Sequence, residues 1–267
     1  MEVYLIFGYF LALLVGISLG LVGSGGSILT VPILVYLMGV NPVEATAYSL
    51  FIVGITSLIG GVKSAKAGMV DFKKVIGFGI PSIIAVYLTR RYLVPAIPEQ
   101  IFNFSTLVLT KNMALMLLFA VVMLLAAYSM IKKEKPNAIE PKQASYLLII
   151  IEGAVVGVLT GLVGAGGGFL IIPALVILAK TPMKIAVGTS LFIIALKSII
   201  GFTGDLQNLT SIDWPLLIIF TILSIIGIYI GLWLTKKIDG SKLKKGFGYF
   251  VLIMAVYILF MELVIKS

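Results

Sequence analysis

The chain of 267 residues contains no cysteine and no histidine, and only 12% of its residues are charged. Without cysteine the chain has no disulfides and no thiolate chemistry. Without histidine it lacks the usual general base and the commonest metal ligand. We therefore expect neither a metal site nor a cofactor. A membrane enzyme is disfavoured, because no paired-carboxylate motif replaces the missing groups.

Apolar side chains make up 60% of the residues, and the mean hydropathy is +1.18. A soluble domain of this size has too little interior for that fraction, so most of these side chains must face lipid. The net charge of +9 comes from basic residues in short loops between apolar runs, which indicates membrane orientation rather than nucleic-acid binding. The first residues, with Glu2 and no basic region, do not resemble a cleaved signal peptide.

An internal repeat divides the chain into two halves. Gly20-Leu-Val-Gly-Ser-Gly-Gly-Ser27 returns 141 residues later as Gly161-Leu-Val-Gly-Ala-Gly-Gly-Gly168. Pro32 matches Pro173, Ser49-Leu-Phe51 matches Ser190-Leu-Phe192, Gly60 matches Gly201, and Asp71-Phe72 matches Asp213-Trp214 with one more residue of offset. The charged, proline-bearing stretch 132–142 lies between the halves. The sequence thus predicts a repeat at 1–131, a linker at 132–142 and a second repeat at 143–267.

Each half contains five apolar segments, the second of which is too short to cross a bilayer comfortably. In each half the glycine motif breaks the chain between the first segment and this short one. The predicted segments are 3–22, 28–38, 43–62, 73–93 and 112–131, then 145–163, 169–179, 182–203, 213–235 and 243–264.

The positions of the basic residues predict the orientation. If each glycine break is a hairpin turn, five segments per half invert the second half relative to the first. With the amino terminus outside, the loops on the cytoplasmic side then hold 15 of the 20 Lys and Arg residues. The outer side holds only Arg90, Arg91, Lys111 and Lys266. Eight spans with parallel halves would leave 9 inside and 10 outside. The positive-inside rule favours the inverted repeat, with a cytoplasmic linker and both termini outside.

The glycine motif is no nucleotide loop, because it follows a lipid-length segment and has no Gly-Lys-Ser/Thr. Backbone broken at membrane depth must line a cavity or a packed interior. The amides that begin the short segments favour an anion, and matched breaks in inverted repeats are typical of a transporter's binding site. Close helix packing by small residues is the alternative explanation. The predicted anion-binding stretches are Ser24, Gly25, Gly26 and Ser27 in the first half and Ala165, Gly166, Gly167 and Gly168 in the second.

The segment after each break carries a polar stripe. Ser49, Thr56 and Gly60 share one helical face, and Ser190, Lys197 and Gly201 occupy the matching positions. Ser57 and Ser198 lie beside them. Hydroxyls in such segments can also bond back to their own helix. The duplicated serines favour a path lined by Ser49, Thr56, Ser57, Ser190 and Ser198.

Two ionisable residues lie within apolar segments. A charge in lipid costs about 3 kcal/mol even on insertion scales, so Lys197 is a candidate countercharge for an anion. The alternative explanation for Lys197 is that its side chain snorkels to the outer headgroups. Glu152 is a candidate proton carrier, or a partner for a lysine of the linker.

These residues resemble the TauE/SafE family of membrane transporters. The resemblance lies in Gly-Leu-Val-Gly-x-Gly-Gly-Gly/Ser, the proline-bearing apolar run, Thr/Tyr-Ser-Leu-Phe and the Ser…Gly pair, all duplicated. It covers nearly the whole chain except 95–111 and 132–142. It implies export or uptake of sulfite and organosulfur anions such as sulfoacetate. The chain departs from the family pattern at Tyr48, where the second copy keeps Thr189, and at Lys197, where a small polar residue is more usual.

The sequence therefore predicts an all-α polytopic protein of the cell membrane, with two inverted repeats of five segments. We expect a secondary transporter that carries small anions by alternating access, most simply sulfite or sulfonate anions. An anion channel of the same architecture is the alternative. The expected partners of the protein are the lipid bilayer and a small anion. The substrate, the direction of transport, the coupling ion and any homo-oligomer stay open.

Overall fold

A computed structural model describes residues 2–23, 25–104, 107–132, 146–163, 171–172, 175, 181–206, 212–235, 237 and 240–265. The helices and strands within these ranges are α1 (Glu2–Val22), α2 (Gly25–Pro32), α3 (Pro42–Lys66), α4 (Phe72–Leu88), α5 (Val94–Ala96), β1 (Gln100–Phe104), β2 (Leu107–Thr110), α6 (Lys111–Ile131), α7 (Tyr146–Val163), α8 (Met183–Asp205), α9 (Trp214–Leu234) and α10 (Gly240–Phe260). Turns of π-helix follow α2, α4 and α10, at Ile33–Leu37, Thr89–Leu93 and Met261–Ile265.

The described part is mostly helical, and the all-α membrane class is confirmed apart from one short hairpin. Five helices are long and apolar enough to cross a bilayer, at Pro42–Lys66, Phe72–Ala96, Lys111–Ser129, Lys184–Asp205 and Trp214–Leu234. Shorter apolar helices lie at Phe7–Val22, Ile28–Leu37, Ile150–Val163 and Val251–Val264. Strands β1 and β2 form an antiparallel pair in the loop before α6. The predicted short segment 28–38 is confirmed as α2 and its π turn. Most of its counterpart, 169–179, lies outside the described residues.

Matched aspartates begin α4 and α9. Asp71 caps α4 by accepting from the amides of Lys73 and Lys74, and Asp213 caps α9 by accepting from Leu216. A carboxylate there satisfies amides that have no partner inside the helix. The amide of Asp71 donates to Thr189, and that of Asp213 donates to Tyr48, each at 2.9 Å. Tyr48 and Thr189 are repeat equivalents, so the unusual tyrosine performs the same bond as the threonine.

Glycines let two pairs of helices pack backbone to backbone. Along α1 and α9, Gly16 lies against Ser224 and Gly227, and Gly20 against Ile228 and Gly231. Any side chain at these glycines would meet backbone atoms of the neighbouring helix, so α1 and α9 approach closely and run parallel.

The same packing occurs between α7 and α4. Gly157 lies against Ser82 and Ala85, and Gly161 against Val86 and Thr89. Each of these residues is the repeat equivalent of one in the α1–α9 contact. The two halves of the chain therefore use equivalent positions to make equivalent interfaces.

Helices α3 and α8 cross at the centre of the protein. Gly54 lies against Ser198 and Ile199, while Gly61, further along α3, lies against Phe192. The two helices therefore run antiparallel. Both are largely buried, whereas α4 and α9 expose isoleucines such as Ile80 and Ile222 on their outer faces, as expected for lipid contact. The polar stripes of α3 and α8 lie in the interior.

Candidate functional site

The first glycine break lies between α1 and α2. Helix α1 ends at Val22, Gly23 has φ +72°, and α2 begins at Gly25. Only glycine adopts that conformation without strain. The first amides of α2 have no acceptor within their own helix, as the sequence predicted for an anion site. Ser24 lies outside the described residues. Gly25, Gly26 and Ser27 belong to α2, and the side chain of Ser27 is not described.

The first break packs against α1 on one side and α8 on the other. A side chain at Gly26 would meet the carbonyl of Val15 and the side chain of Leu19, so α2 folds back tightly on α1. Across the break, the hydroxyl of Ser190 donates to the carbonyl of Gly23 at 3.4 Å and to that of Val187 at 2.9 Å. The structure thus brings Ser190 to the first break, as a member of α8.

Lys197 lies inside the protein with its side chain fully enclosed. Its ammonium donates to the hydroxyl of Thr160 at 3.0 Å, and it forms no ion pair with any residue that the structure describes. Asp205 ends α8 eight residues later, a rise of about 12 Å. The ammonium therefore does not reach the outer headgroups. Thr160 directly precedes Gly161, so Lys197 lies beside the helix that leads into the second glycine motif.

Four predicted path residues are buried hydroxyls without a hydrogen-bond partner among the described residues: Ser49, Thr56, Ser57 and Ser198. Ser82 on α4 and Thr221 on α9 are also buried without a partner among the described residues, whereas Thr30 donates to Gly26 and Ser224 donates to Ala12. Buried polar groups usually find partners, so unpartnered hydroxyls on the two central helices are available to a ligand or to water. Ser198 lies against Gly54 at the crossing of α3 and α8.

Several predicted residues lie outside the described part of the chain. They are Ala165, Gly166, Gly167 and Gly168 of the second motif and nearly all of the linker 132–142. Of the second motif, the structure describes Gly161–Val163 at the end of α7.

Glu152 is half-buried on α7, two turns before Thr160. It forms no ion pair with a described residue. Its role as a proton carrier stays a prediction, because nothing in the geometry selects it over pairing with the linker.

Sequence reasoning missed a buried charged cluster around Arg90. The guanidinium is fully enclosed, and its Nε and Nη2 contact Oδ2 of Asp205 at 2.7 and 2.5 Å. Its Nη1 donates to the hydroxyl of Thr46 at 3.0 Å and to the carbonyl of Gly161 at 3.1 Å. The cluster ties together α3, α7, α8 and the π turn after α4.

The structure buries two of the basic residues that the sequence analysis counted on the outer side. Arg90 is fully buried, and Lys111 is 7% exposed and lies 3.8 Å from Glu99. Arg90 lies near the end of the predicted segment 73–93, and its position in that apolar run could not show that its side chain points inward to Asp205. The sequence did offer one signal for this ion pair, because Arg90 and Asp205 carry opposite charges near the ends of two apolar segments.

Two cavities lie at opposite ends of α3 and α8. One, of about 360 Å³, is lined by polar residues that include Glu44, Glu99, Lys111, Asn112 and Asp205. The other, of about 210 Å³, is lined by Lys63, Ser64, Lys184, Val187, Leu232, Trp233 and Thr235, among others. The lining of the first includes Asp205 of the Arg90 cluster. The second adjoins Val187, which contacts Gly23 at the first break.

Comparison with known proteins agrees with this architecture. Residues 9–258 match the model of the family described as sulfite exporter TauE/SafE. A probable membrane transporter protein of Xylella fastidiosa is 28% identical over 92% of this chain and 91% of its own length. Another, from Methanocaldococcus jannaschii, is 29% identical over 93% and 94%. A third, from Bacillus subtilis, is 32% identical over 76% and 78%. No solved structure matches the chain significantly.

Proposed function

The chain belongs to the TauE/SafE family of membrane transporters, and from that premise we propose that it is a secondary transporter of small anions. Sulfite and organosulfur anions such as sulfonates are the proposed substrates, in line with the family's description. Alternating access is the proposed mechanism. The protein acts in the cell membrane, with both termini outside and the 132–142 linker in the cytoplasm.

The observation that carries the proposal is the ammonium of Lys197. It is fully enclosed, and the hydroxyl of Thr160 is its one described partner. An ammonium has three donors, and a buried charge without a counter-charge costs several kcal/mol. A bound anion would supply both the missing charge and the missing acceptors. Lys197 is therefore proposed as the countercharge of the substrate.

Hydroxyl and amide donors supply the neutral part of the proposed site. Unpartnered Ser49, Thr56, Ser57 and Ser198 can donate to the oxygens of an oxyanion. The amides that begin α2 favour negative charge at the same time, and their counterparts in Ala165–Gly168 are proposed to do likewise. An uncharged network with one lysine suits a small, weakly basic oxyanion.

The packing of equivalent helices supports inverted repeats. Helices α3 and α8 occupy equivalent positions in the two halves and cross antiparallel. Helix α1 of the first half packs on α9 of the second, and α7 of the second half packs on α4 of the first. Both contacts use equivalent glycines. A two-fold axis in the membrane plane has these consequences. Such a protein can expose a central site alternately to each side by moving one set of helices against the other.

Counterflow in liposomes tests the function. Purified protein is reconstituted in liposomes loaded with unlabelled sulfite, and the uptake of labelled sulfite is followed. A carrier accumulates the label transiently, and the rate saturates with concentration. Uptake without counterflow and without saturation would indicate the channel alternative. Sulfoacetate, thiosulfate, sulfate and a small carboxylate are then added as competitors. Sulfite flux equal to that of protein-free liposomes, with no competitor transported either, would contradict the proposal.

A further inference from the structure

The Arg90 cluster and the smaller cavity occupy equivalent places at opposite ends of the protein. The 142-residue offset that pairs Ser82 with Ser224 also pairs Arg90 with Leu232. The 141-residue offset pairs Asp205 with Ser64, Thr46 with Val187, and Gly161 with Gly20. Leu232, Ser64 and Val187 all line the cavity of about 210 Å³.

The two ends differ in what fills that place. At one end Arg90 spans the space between four helical segments and bonds Asp205, Thr46 and the carbonyl of Gly161. At the other end Leu232 and Ser64, which carry no charge, both line a cavity. The carbonyl of Gly20 still has a partner there, because the hydroxyl of Thr235 donates to it at 3.0 Å. The backbone framework is thus shared, and the buried ion pair is the difference.

We propose that the Arg90–Asp205 pair is the closed outer gate of the transport path and that the cavity at the equivalent inner place is its open cytoplasmic mouth for the anion. This inference rests on the proposed function and its orientation. Two observations define the gate's position. The larger cavity is lined by Asp205 and, on α3, by residues up to Ala47. Ser49, two residues further along α3, is not among its lining residues, and its hydroxyl is unpartnered among the described residues.

The inner mouth has the charge that an anion requires. Lys63 and Lys184 line it, whereas the cavity outside the gate is lined by Glu44, Glu99 and Asp205 together with one lysine. Positive side chains at the mouth of a low-dielectric cleft raise the local concentration of anions. Val187 connects this mouth to the first glycine break, where it contacts Gly23. Ser190, one turn further along α8, is the repeat equivalent of Ser49.

Two single cysteines in the naturally cysteine-free chain can test the gate. Ser49→Cys reports access past the outer gate, and Ser190→Cys reports access past the inner mouth. Both are treated with a small membrane-impermeant thiol reagent, the first from outside in intact cells and the second in inside-out vesicles, with no substrate added. Both serines are buried in this structure, so the two rates are compared, and we expect Ser190→Cys, one turn from the cavity-lining Val187, to react faster than Ser49→Cys.

The gate is then replaced by the residues of the open end, in the double variant Arg90→Leu/Asp205→Ser. This change removes both charges together, so no unpaired charge stays buried, and the inner end already accommodates these residues. We expect the outside reaction of Ser49→Cys to become at least tenfold faster and the inside reaction of Ser190→Cys to slow. The reverse construction, Leu232→Arg/Ser64→Asp, places a pair in the inner mouth and should also protect Ser190→Cys. Lys111→Met/Glu99→Gln, a second pair in the outer cavity, is the matched control and should change neither rate.

Each other outcome overturns the gate. Unchanged rates in a correctly folded double variant would make Arg90–Asp205 a structural tie. A faster reaction at both cysteines would indicate a loosened protein. A faster reaction at Ser49→Cys alone would indicate a plug in a continuous pore. Folding of every variant is checked by elution from a sizing column and by circular dichroism. Because no anion is present, these results are independent of the counterflow assay, whose failure would count against the function alone.

Discussion

The ammonium of Lys197 on α8 lies 3.0 Å from the hydroxyl of Thr160 on α7, one residue before the second glycine motif. This bond fixes the one buried, unpaired cation of the described chain beside the helix that leads to the second glycine motif, which the sequence predicts to bind an anion. Thr160 has its own acceptor in the carbonyl of Gly157 at 3.2 Å. The Thr160 hydroxyl therefore holds the lysine without neutralising its charge, and the hydroxyl proton is already donated to Gly157.

Replacing Thr160 should weaken anion binding without removing the charge. Thr160→Val keeps the shape of the side chain and deletes the hydroxyl, so the ammonium loses its described partner. A hydrogen bond to a charged group contributes about 1.5–3 kcal/mol. Because the lysine can recover part of this by moving toward the anion, we expect affinity to fall roughly three- to tenfold. Thr203→Val is the control, since Thr203 is exposed on α8 and bonds its own helix. Equal affinities of both variants and the wild type would contradict a positioning role.

Gly26 should not tolerate a larger side chain. A Cβ there would meet the carbonyl of Val15 and the side chain of Leu19, so Gly26→Val must push α2 away from α1. We expect transport to be lost or reduced more than tenfold while the protein still inserts in the membrane. Gly246→Val is the matched control, because nothing lies within 4 Å of a Cβ at that helical glycine. Normal transport by Gly26→Val would show that the break tolerates movement and does not shape the site.

Glu152 should matter only if protons are coupled to transport. Glu152→Gln imitates the protonated carboxyl, so exchange of anions should continue while uptake driven by a pH gradient is lost. Both are measured in the same liposomes. Glu99→Gln, at an 83% exposed side chain, should leave both processes unchanged. Gradient-driven uptake by Glu152→Gln at the wild-type rate would exclude Glu152 as the carrier.

The orientation can be measured with single cysteines at Asn137 and Ser267. The distribution of the basic residues predicts that the linker lies inside and the carboxyl terminus outside. An impermeant maleimide should therefore label Ser267→Cys in intact cells and label Asn137→Cys only after the membrane is opened. The opposite pattern would refute the proposed topology.

The repeat in the sequence predicted much of the fold because repeat-equivalent residues make equivalent packing contacts. Equivalent glycines make the α1–α9 and α7–α4 contacts, and equivalent aspartates cap α4 and α9. Two central polar stripes were also predicted from helical spacing, and their residues are buried on α3 and α8. The roles proposed for these residues stay predictions.

The features that sequence could not provide are those that depend on how helices rotate and approach. Thr160 becomes the partner of Lys197 only because α7 presents that face to α8. Arg90 was counted among the basic residues of the outer side because it lies near the end of its apolar run, whereas its side chain is buried beside Asp205. The positive φ falls at Gly23, and several other glycines of the motif could equally have carried it. Contacts between side chains on helices that are far apart in the chain leave no periodic pattern in the sequence.

The most direct test of the account is the anion affinity of Lys197→Met, measured by calorimetry on purified protein alongside its melting temperature. Methionine keeps most of the volume of the lysine stem and removes the charge. If Lys197 is the countercharge, binding should weaken by about 1.5–3 kcal/mol, the range for charged hydrogen bonds, which is roughly ten- to a hundredfold in affinity. Lys197→Arg should bind less tightly than wild type but better than Lys197→Met. Unchanged affinity in Lys197→Met, with a melting temperature equal to or above that of the wild type, would contradict the account.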